Sequence, residues 1–371
     1  MNKTQRSALA VASLTLVAAC GHSGSTSSSA AKDSSTPAGT PAASGSAAVT
    51  GSGSAAVGEP TKLKIMVGGI DKQIYLPNKL AEALGFFKEQ NLDVTLIDEA
   101  SGQSSEQQVL SGGVQAGSGS YHHTIELQAA GKFMESVVQL QTAPGEALMV
   151  STKSADTVKS ATDLKGANMG VTELGSGTQT LSTAILGKVG IGADKVHFLP
   201  VGAGSTFLAA MQQGRIAAGM TTEPTISKVI STGAGKILVD LRTPESTKAA
   251  LGGEYPFISV FMNTDYVNSH KDVVQRMVNA YVHTLNWMST HSAAEIADKV
   301  PADYYAGDKA AYITALTGQK NSFTTDGLMP ESGAKTVASI EAQYVPSMKG
   351  KTVDLSKTYT NEFATAANAA G

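Results

Sequence analysis

The sequence predicts an α/β protein made of two similar lobes, and three observations carry that prediction. Short apolar strands alternate with helices from residue 63 to about 241, the pattern of parallel sheets linked by right-handed crossovers. About 310 residues follow an N-terminal leader and linker, more than a single hydrophobic core usually organises. A short segment also recurs. Gly112-Gly113-Val114-Gln115-Ala116-Gly117 aligns with Gly214-Arg215-Ile216-Ala217-Ala218-Gly219. Each copy follows a helix and precedes another, which ends in Ala130-Gly131-Lys132 or Gly233-Ala234-Gly235-Lys236. One copy per half suggests one helix–strand–helix plan used twice.

Taken in order, the chain begins with Lys3 and Arg6, followed by an apolar run from Ala8 to Ala19. The run falls well short of the roughly 20 residues that span a bilayer, so it reads as the hydrophobic part of a secretory signal. It ends in Leu16-Val17-Ala18-Ala19-Cys20. Small residues before a cysteine resemble the bacterial lipobox, in which the thiol is lipidated and the chain is cut just before it. An ordinary secretory signal that happens to end in cysteine is the alternative. Cys20 is the one cysteine in 371 residues, which excludes an intrachain disulfide framework and any cysteine-based zinc cluster. Residues 21–60 are almost wholly Ser, Gly, Ala, Thr and Pro. Such a segment buries too little apolar surface to offset its ordering entropy and should act as a tether.

Within the body, strands are predicted at Leu63–Val67, Val94–Ile97, Val137–Leu140 and Ala147–Ser151, with helices at Asn78–Phe87 and Ser104–Leu110. Strands at Asn168–Val171, Val196–Pro200, Ile216–Met220 and Ile237–Leu241 follow, separated by helices at about 178–189, 206–213 and 224–232. Beyond about residue 265 the pattern is mostly helical: His270–Thr290, Ser292–Lys299, Lys309–Thr317, Glu331–Tyr344 and a tail from Leu355. Trp287 lies in this stretch and is expected in the core. The division expected is 61–143 with 245–371 as lobe 1 and 144–244 as lobe 2. The hinge would pass through Thr142–Glu146 and Arg242–Gly253.

Composition narrows the function. With 28 basic and 31 acidic residues and a formal charge of −3, the chain has no clustered Lys and Arg for phosphate contacts, so nucleic acid is not an expected partner. No Gly-x-Ser-x-Gly elbow, His-Glu-x-x-His pair or Walker lysine loop occurs. Gly175-Ser176-Gly177 begins like a dinucleotide fingerprint, but Thr180 replaces its third glycine. His122-His123 reads as a polar pair at a helix start, because neighbours on a helix diverge by about 100°. No enzyme activity, cofactor or metal is expected.

The residues do carry a family resemblance. Tyr75-Leu76-Pro77 leads to Leu84-Gly85-Phe86-Phe87-Lys88, then Asn91-Leu92-Asp93-Val94; Asp163-Leu164-Lys165-Gly166 precedes a strand, and Gly175-Ser176-Gly177-Thr178 and Glu223-Pro224 follow. From Leu63 to about Asp303 the chain resembles the solute receptors of ABC importers that bind sulfonates, taurine, nitrate or thiamine-pyrimidine precursors. Gln115 and Ala217 stand where members of that family often carry Asp. The resemblance implies the two-lobed periplasmic-binding-protein fold of type II, with lobes joined by a two-strand hinge and a helical C-terminal extension. It also implies an extracytoplasmic, lipid-anchored monomer that passes its ligand to an ABC permease and ATPase. A lipoprotein that presents ligand to a sensor is the alternative.

Ligands of open α/β sheets sit beyond the carboxyl ends of the strands, in loops that enter helices. That rule selects Ile70–Lys72, Ser101-Gly102, Ser120–His122, Thr172–Thr178, Gly204–Thr206 and Thr222-Glu223. Candidate ligand-binding residues are Tyr75, Ser101, Tyr121, His122, Ser176, Thr178, Thr206 and Glu223, with Cys20 as the lipidation site. Backbone N–H groups near Gly175–Thr178, with the Ser176 and Thr178 hydroxyls, suit an oxyanion or carbonyl oxygen. Glu223 would suit a donor such as an amine, or else serve only as the N-cap of its own helix. Aligning the repeat pairs Tyr121 with Glu223, which would bring both to the cleft from opposite sides.

Overall fold

The computed structural model describes residues 58–305 and 307–370. In chain order the elements begin with β1 (Thr61–Val67), α1 (Leu76–Ala83), α2 (Phe86–Glu89), β2 (Leu92–Asp98), α3 (Gly102–Leu110), β3 (Ala116–Ser120), α4 (His122–Ala129) and β4 (Met134–Gln139). Next come β5 (Glu146–Ser151), β6 (Asn168–Val171), α5 (Gly177–Lys188), β7 (His197–Pro200), α6 (Gly204–Gln213), β8 (Ala218–Thr222), α7 (Thr225–Ser231), β9 (Gly235–Leu241) and α8 (Pro244–Leu251). The chain continues with β10 (Ile258–Asn263), α9 (Thr264–Ser269), α10 (Lys271–Thr290), α11 (Ala293–Ala297), α12 (Lys309–Gln319), α13 (Glu331–Tyr344) and α14 (Glu362–Ala370). Among the described residues no helix is long and apolar enough to cross a membrane.

The strands form two five-stranded sheets of the same order, β2-β1-β3-β10-β4 and β7-β6-β8-β5-β9. Four strands of each run parallel, and the fourth in spatial order runs against them: β10 in the first sheet and β5 in the second. The sheets are therefore mixed rather than all-parallel. The chain enters the second sheet through β5 and re-enters the first through β10. Each of these strands arrives from the opposite lobe, so it enters its sheet from the end where its neighbours finish. β10 was not foreseen from the sequence. Its Ile258-Ser259-Val260-Phe261-Met262 stretch is buried throughout, so it has no inward–outward alternation to mark it as a strand.

The repeat lies at equivalent places. Ala116 opens β3 and Ala218 opens β8, the third strands of their respective sheets. Both strands are fully buried, and an aromatic ring packs against a glycine of each. A Cβ on Gly117 would come within 2.3 Å of the Phe261 ring, and one on Gly219 within 2.8 Å of Phe207. The predicted helix over Asn78–Phe87 is two helices, α1 and α2, broken at Gly85 with φ of +81°, a conformation that favours glycine.

The C-terminal helices pack on both halves. α10 and α14 cover the first sheet, α12 meets α7, and α13 lies between α4 and α5. Along α10, Val274, Met277, Val278, Tyr281, Val282 and Leu285 form the buried stripe, at the spacing an amphipathic helix requires. Trp287, expected in the core, is instead partly buried and stacks on His291 with ring centroids 3.8 Å apart.

Candidate functional site

The carboxyl ends of β1, β3, β6 and β8 converge on one cavity between the two sheets. Gly68 follows β1, Ser120 ends β3, Thr172 follows β6 and Thr222 ends β8, and all four line it. The cavity spans about 360 Å³ with its mouth, but its walls approach closely enough to leave room for about one water molecule. Gly68 is required here. A Cβ at this position would lie 2.4 Å from the Gly102 nitrogen and 2.6 Å from the Tyr75 hydroxyl.

Two helix N-termini face the cavity from opposite sides. α3 begins after Ser101 and α5 after Ser176; both residues are extended, and neither makes a side-chain cap hydrogen bond. Ser101, Gly102, Ser176, Gly177 and Thr178 all line the cavity. Uncapped N–H groups at a helix start attract anionic or carbonyl oxygens. On the α5 side the hydroxyls form a chain: Ser176 Oγ is 2.7 Å from Thr178 Oγ1, which is 3.0 Å from Thr172 Oγ1. Thr178 Oγ1 also accepts from the Thr172 amide at 2.9 Å.

Charged groups sit on the same walls. Lys72 Nζ donates to the Gly68 carbonyl at 2.7 Å and the Ala100 carbonyl at 2.9 Å, and it lies 5.9 Å from the centre of the Tyr75 ring. Burial lowers its pKa, with Glu146 acting in the opposite direction. Glu146, at the start of β5, is 3% exposed and its Oε2 has no hydrogen-bond partner. Burial raises this carboxyl to about 8, with Lys72 pulling it down. At neutral pH it is therefore mostly a protonated donor.

The two walls are linked directly. Glu173, from the loop after β6, accepts from Ser101 Oγ and, at 3.1 Å, from Ser104 Oγ. The Gln73 amide donates to the Glu223 carbonyl at 3.0 Å. Gly177 lies against Phe257 and Ser120, so that a Cβ there would be 2.6 Å from the Phe257 ring. The lobes are closed on the cavity.

Of the residues singled out from the sequence, Tyr75, Ser101, Ser176 and Thr178 line the cavity. Four others lie elsewhere. Tyr121 is buried with its hydroxyl 2.6 Å from Thr358 Oγ1 and its ring edge-on to Tyr359, facing the C-terminal tail. His122 points behind the cavity, with Nδ1 2.7 Å from Ser120 Oγ; its neighbour His123 is the one that lines the wall. Thr206 donates back to the Ala203 carbonyl at 2.8 Å in the exposed first turn of α6. Glu223 is buried, accepting from the Ser227 amide at 3.0 Å and from Arg242 Nη1 at 3.3 Å. That is the helix-supporting arrangement, with Pro224 as the N-cap residue of α7. Lys72, Glu146, Glu173, His123 and Phe257 were not singled out from the sequence. The loops Ile70–Lys72 and Thr172–Thr178 already contained two of them. Cys20 and residues 21–57 lie outside the described residues.

The family model described as NMT1/THI5 like matches residues 75–294. A protein of Bordetella bronchiseptica RB50 is 36% identical, with a TM-score of 0.79 over 84% of this chain and 98% of that one. The alkanesulfonate-binding protein SsuA of Xanthomonas axonopodis pv. citri, bound to MOPS, is 16% identical, with a TM-score of 0.64 over 81% of this chain and 99% of that one. The periplasmic nitrate-binding protein NrtA of Synechocystis PCC 6803 is 13% identical, with a TM-score of 0.63 over 84% of this chain and 89% of that one. No curated protein sequence matches the chain. With that family model covering more than half its length, on two lobes of periplasmic-binding-protein architecture, the chain belongs to the NMT1/THI5-like family.

Proposed function

We propose that this protein is the extracytoplasmic solute-binding subunit of an ABC importer. It would capture a small polar organic solute between its lobes, deliver it to a membrane permease, and stay attached to the membrane through lipid on Cys20. One observation carries the binding role: two uncapped helix N-termini from opposite lobes open on the same closed cavity. That arrangement suits a ligand with oxyanion or carbonyl oxygens, as in a sulfonate or a pyrimidine. Lys72 adds N–H donors, and the Glu146 carboxyl, raised by burial to about 8, adds another. Membership of a family whose fold neighbours include alkanesulfonate-binding and nitrate-binding proteins supports the same reading.

The test is calorimetry with panels of aliphatic sulfonates, pyrimidines and aromatic acids, followed by Ser176→Ala. A ligand bound by the native protein and weakened at least tenfold, about 1.4 kcal/mol, by that variant supports the reading. Full affinity in the variant would place the ligand elsewhere, and silence across all three panels would count against the proposed ligand chemistry.

A further inference from the structure

Where α4 meets α13 is a group of buried polar side chains, one of which, His123, also lines the cavity. His122 and His123 are fully buried, with ring centroids 4.1 Å apart and planes tilted by 38°. The sequence-based expectation that the two rings diverge is therefore not met. Helix geometry explains why a third residue joins them. At about 100° per residue, Glu126 falls angularly between His122 and His123, so all three occupy one arc of roughly 100° on α4. One ligand atom from each of the three lies within 4.8 Å of the others.

Several groups here lack partners. Nε2 of His122 and both ring nitrogens of His123 are buried without a hydrogen-bond partner, while the Glu341 carboxyl is paired with that of Glu126. Glu341 comes from α13 and neighbours Glu126. His122 Nδ1 is 2.7 Å from Ser120 Oγ, whereas His123 Nδ1 lies 3.0 Å from Glu106 Oε2 without the alignment of a hydrogen bond. A hydroxyl or carboxylate on the far nitrogen is the usual support of a metal-bound histidine, because it fixes the tautomer and orients the ring. Unpartnered buried imidazole nitrogens carry a desolvation cost that a cation would reduce.

We propose that His122, His123 and Glu126, with Glu341 as a fourth donor, form a buried site for one zinc-type divalent cation joining α4 to α13. Two imidazoles and carboxylate oxygens select Zn²⁺ or its neighbours over Mg²⁺ or Ca²⁺, which prefer all-oxygen shells. Tetrahedral bonds of about 2.0–2.2 Å need ligand atoms about 3.3–3.5 Å apart. The present separations, within 4.8 Å among His122, His123 and Glu126, require these side chains to draw together around the ion. Glu126 also borders a surface groove with Gln179, Thr183 and Pro346, which gives a route from solvent. The ion would fix α13, which also packs on α5 of the other lobe.

The test uses the full mature chain, freed of metal by chelator, with Zn²⁺ and Co²⁺ as probes. One equivalent of each is expected to bind. Co²⁺ should give the strong visible absorption of a four-coordinate nitrogen–oxygen site, and Zn²⁺ should raise the melting temperature. Glu126→Gln and Glu341→Gln should each weaken Zn²⁺ at least tenfold, whereas His291→Ala, on the surface, should not. Absence of stoichiometric binding, a six-coordinate Co²⁺ spectrum, or full affinity in the folded Glu126→Gln protein would overturn the proposal and leave a proton-sharing carboxyl pair. The Co²⁺ spectrum of the native protein decides the matter even if a variant misfolds.

Discussion

Replacing Glu146 with glutamine keeps the shape of the side chain and removes its charge. Burial holds this carboxyl at about 8 in the folded protein, against an ordinary value of 4.5. Between those values the folded chain keeps a proton that the unfolded chain releases. The stabilisation is thus fully present below the unfolded value and is lost as pH rises through the folded one. At 1.36 kcal/mol per pH unit the difference amounts to at most about 5 kcal/mol. Lys72, whose ammonium burial disfavours, acts in the opposite sense in both proteins, and the window set by Glu146 is about pH 5 to about 8. Glu106 and Glu126, raised by burial to about 7, add a slope of the same sign to both proteins. The quantity to measure is therefore the difference between native and Glu146→Gln stabilities, from urea denaturation followed by circular dichroism. The variant should gain on the native protein across the window by about 2–5 kcal/mol. A difference constant to within about 0.5 kcal/mol would show that the Glu146 carboxyl does not stay buried and protonated, and would refute the reasoning.

Three further outcomes are expected. Glu223→Gln weakens the contacts to Ser227 and Arg242, so it should cost about 1–2 kcal/mol of stability in thermal melts while ligand affinity stays within twofold; a tenfold affinity loss would return Glu223 to the ligand site. Glu173→Ala removes both hydroxyl–carboxylate bonds across the lobes, a change of about 1–3 kcal/mol that should raise the radius of gyration of the ligand-free protein in small-angle scattering. An unchanged radius would mean that the latch does not hold the lobes. Cys20→Ala should shift the protein from the membrane fraction to the soluble one or leave it uncut, and membrane retention of a correctly processed variant would refute the anchor.

Much of the architecture was readable because it has a period. Strand–helix alternation exposed the α/β plan, and the repeat at Gly112 and Gly214 marked the third strand of each sheet. What was hidden has a common cause. β10 and β5 run antiparallel to their neighbours, so their starts, not their ends, face the cavity. Glu146 opens β5 and Phe257 directly precedes β10. A search confined to the carboxyl ends of parallel strands passes over both. Tyr121 and Glu223 follow equivalent strands, but their side chains turn to Thr358 and to Ser227 with Arg242. The repeat placed their backbones, while packing partners far along the chain set the directions of their side chains.

The closed geometry constrains how any ligand is bound. Room for about one water means that a solute enters only after the lobes part. Parting breaks the contacts of Glu173 with Ser101 and Ser104 and the Gln73–Glu223 hydrogen bond. The Glu173 carboxylate is itself an anion held beside the start of α3, so an incoming oxyanion and this side chain compete for the same donors. Whatever free energy the ligand-free latch contributes must be subtracted from the intrinsic affinity, since only the open fraction is competent to bind. Glu173→Ala therefore carries two opposing effects. It enlarges the open fraction, which tightens apparent binding, and it removes a link that stabilises the closed complex if the latch re-forms around the ligand. Tighter binding in the variant would identify Glu173 as a ligand mimic that is displaced, and weaker binding would identify it as a clasp that stays shut.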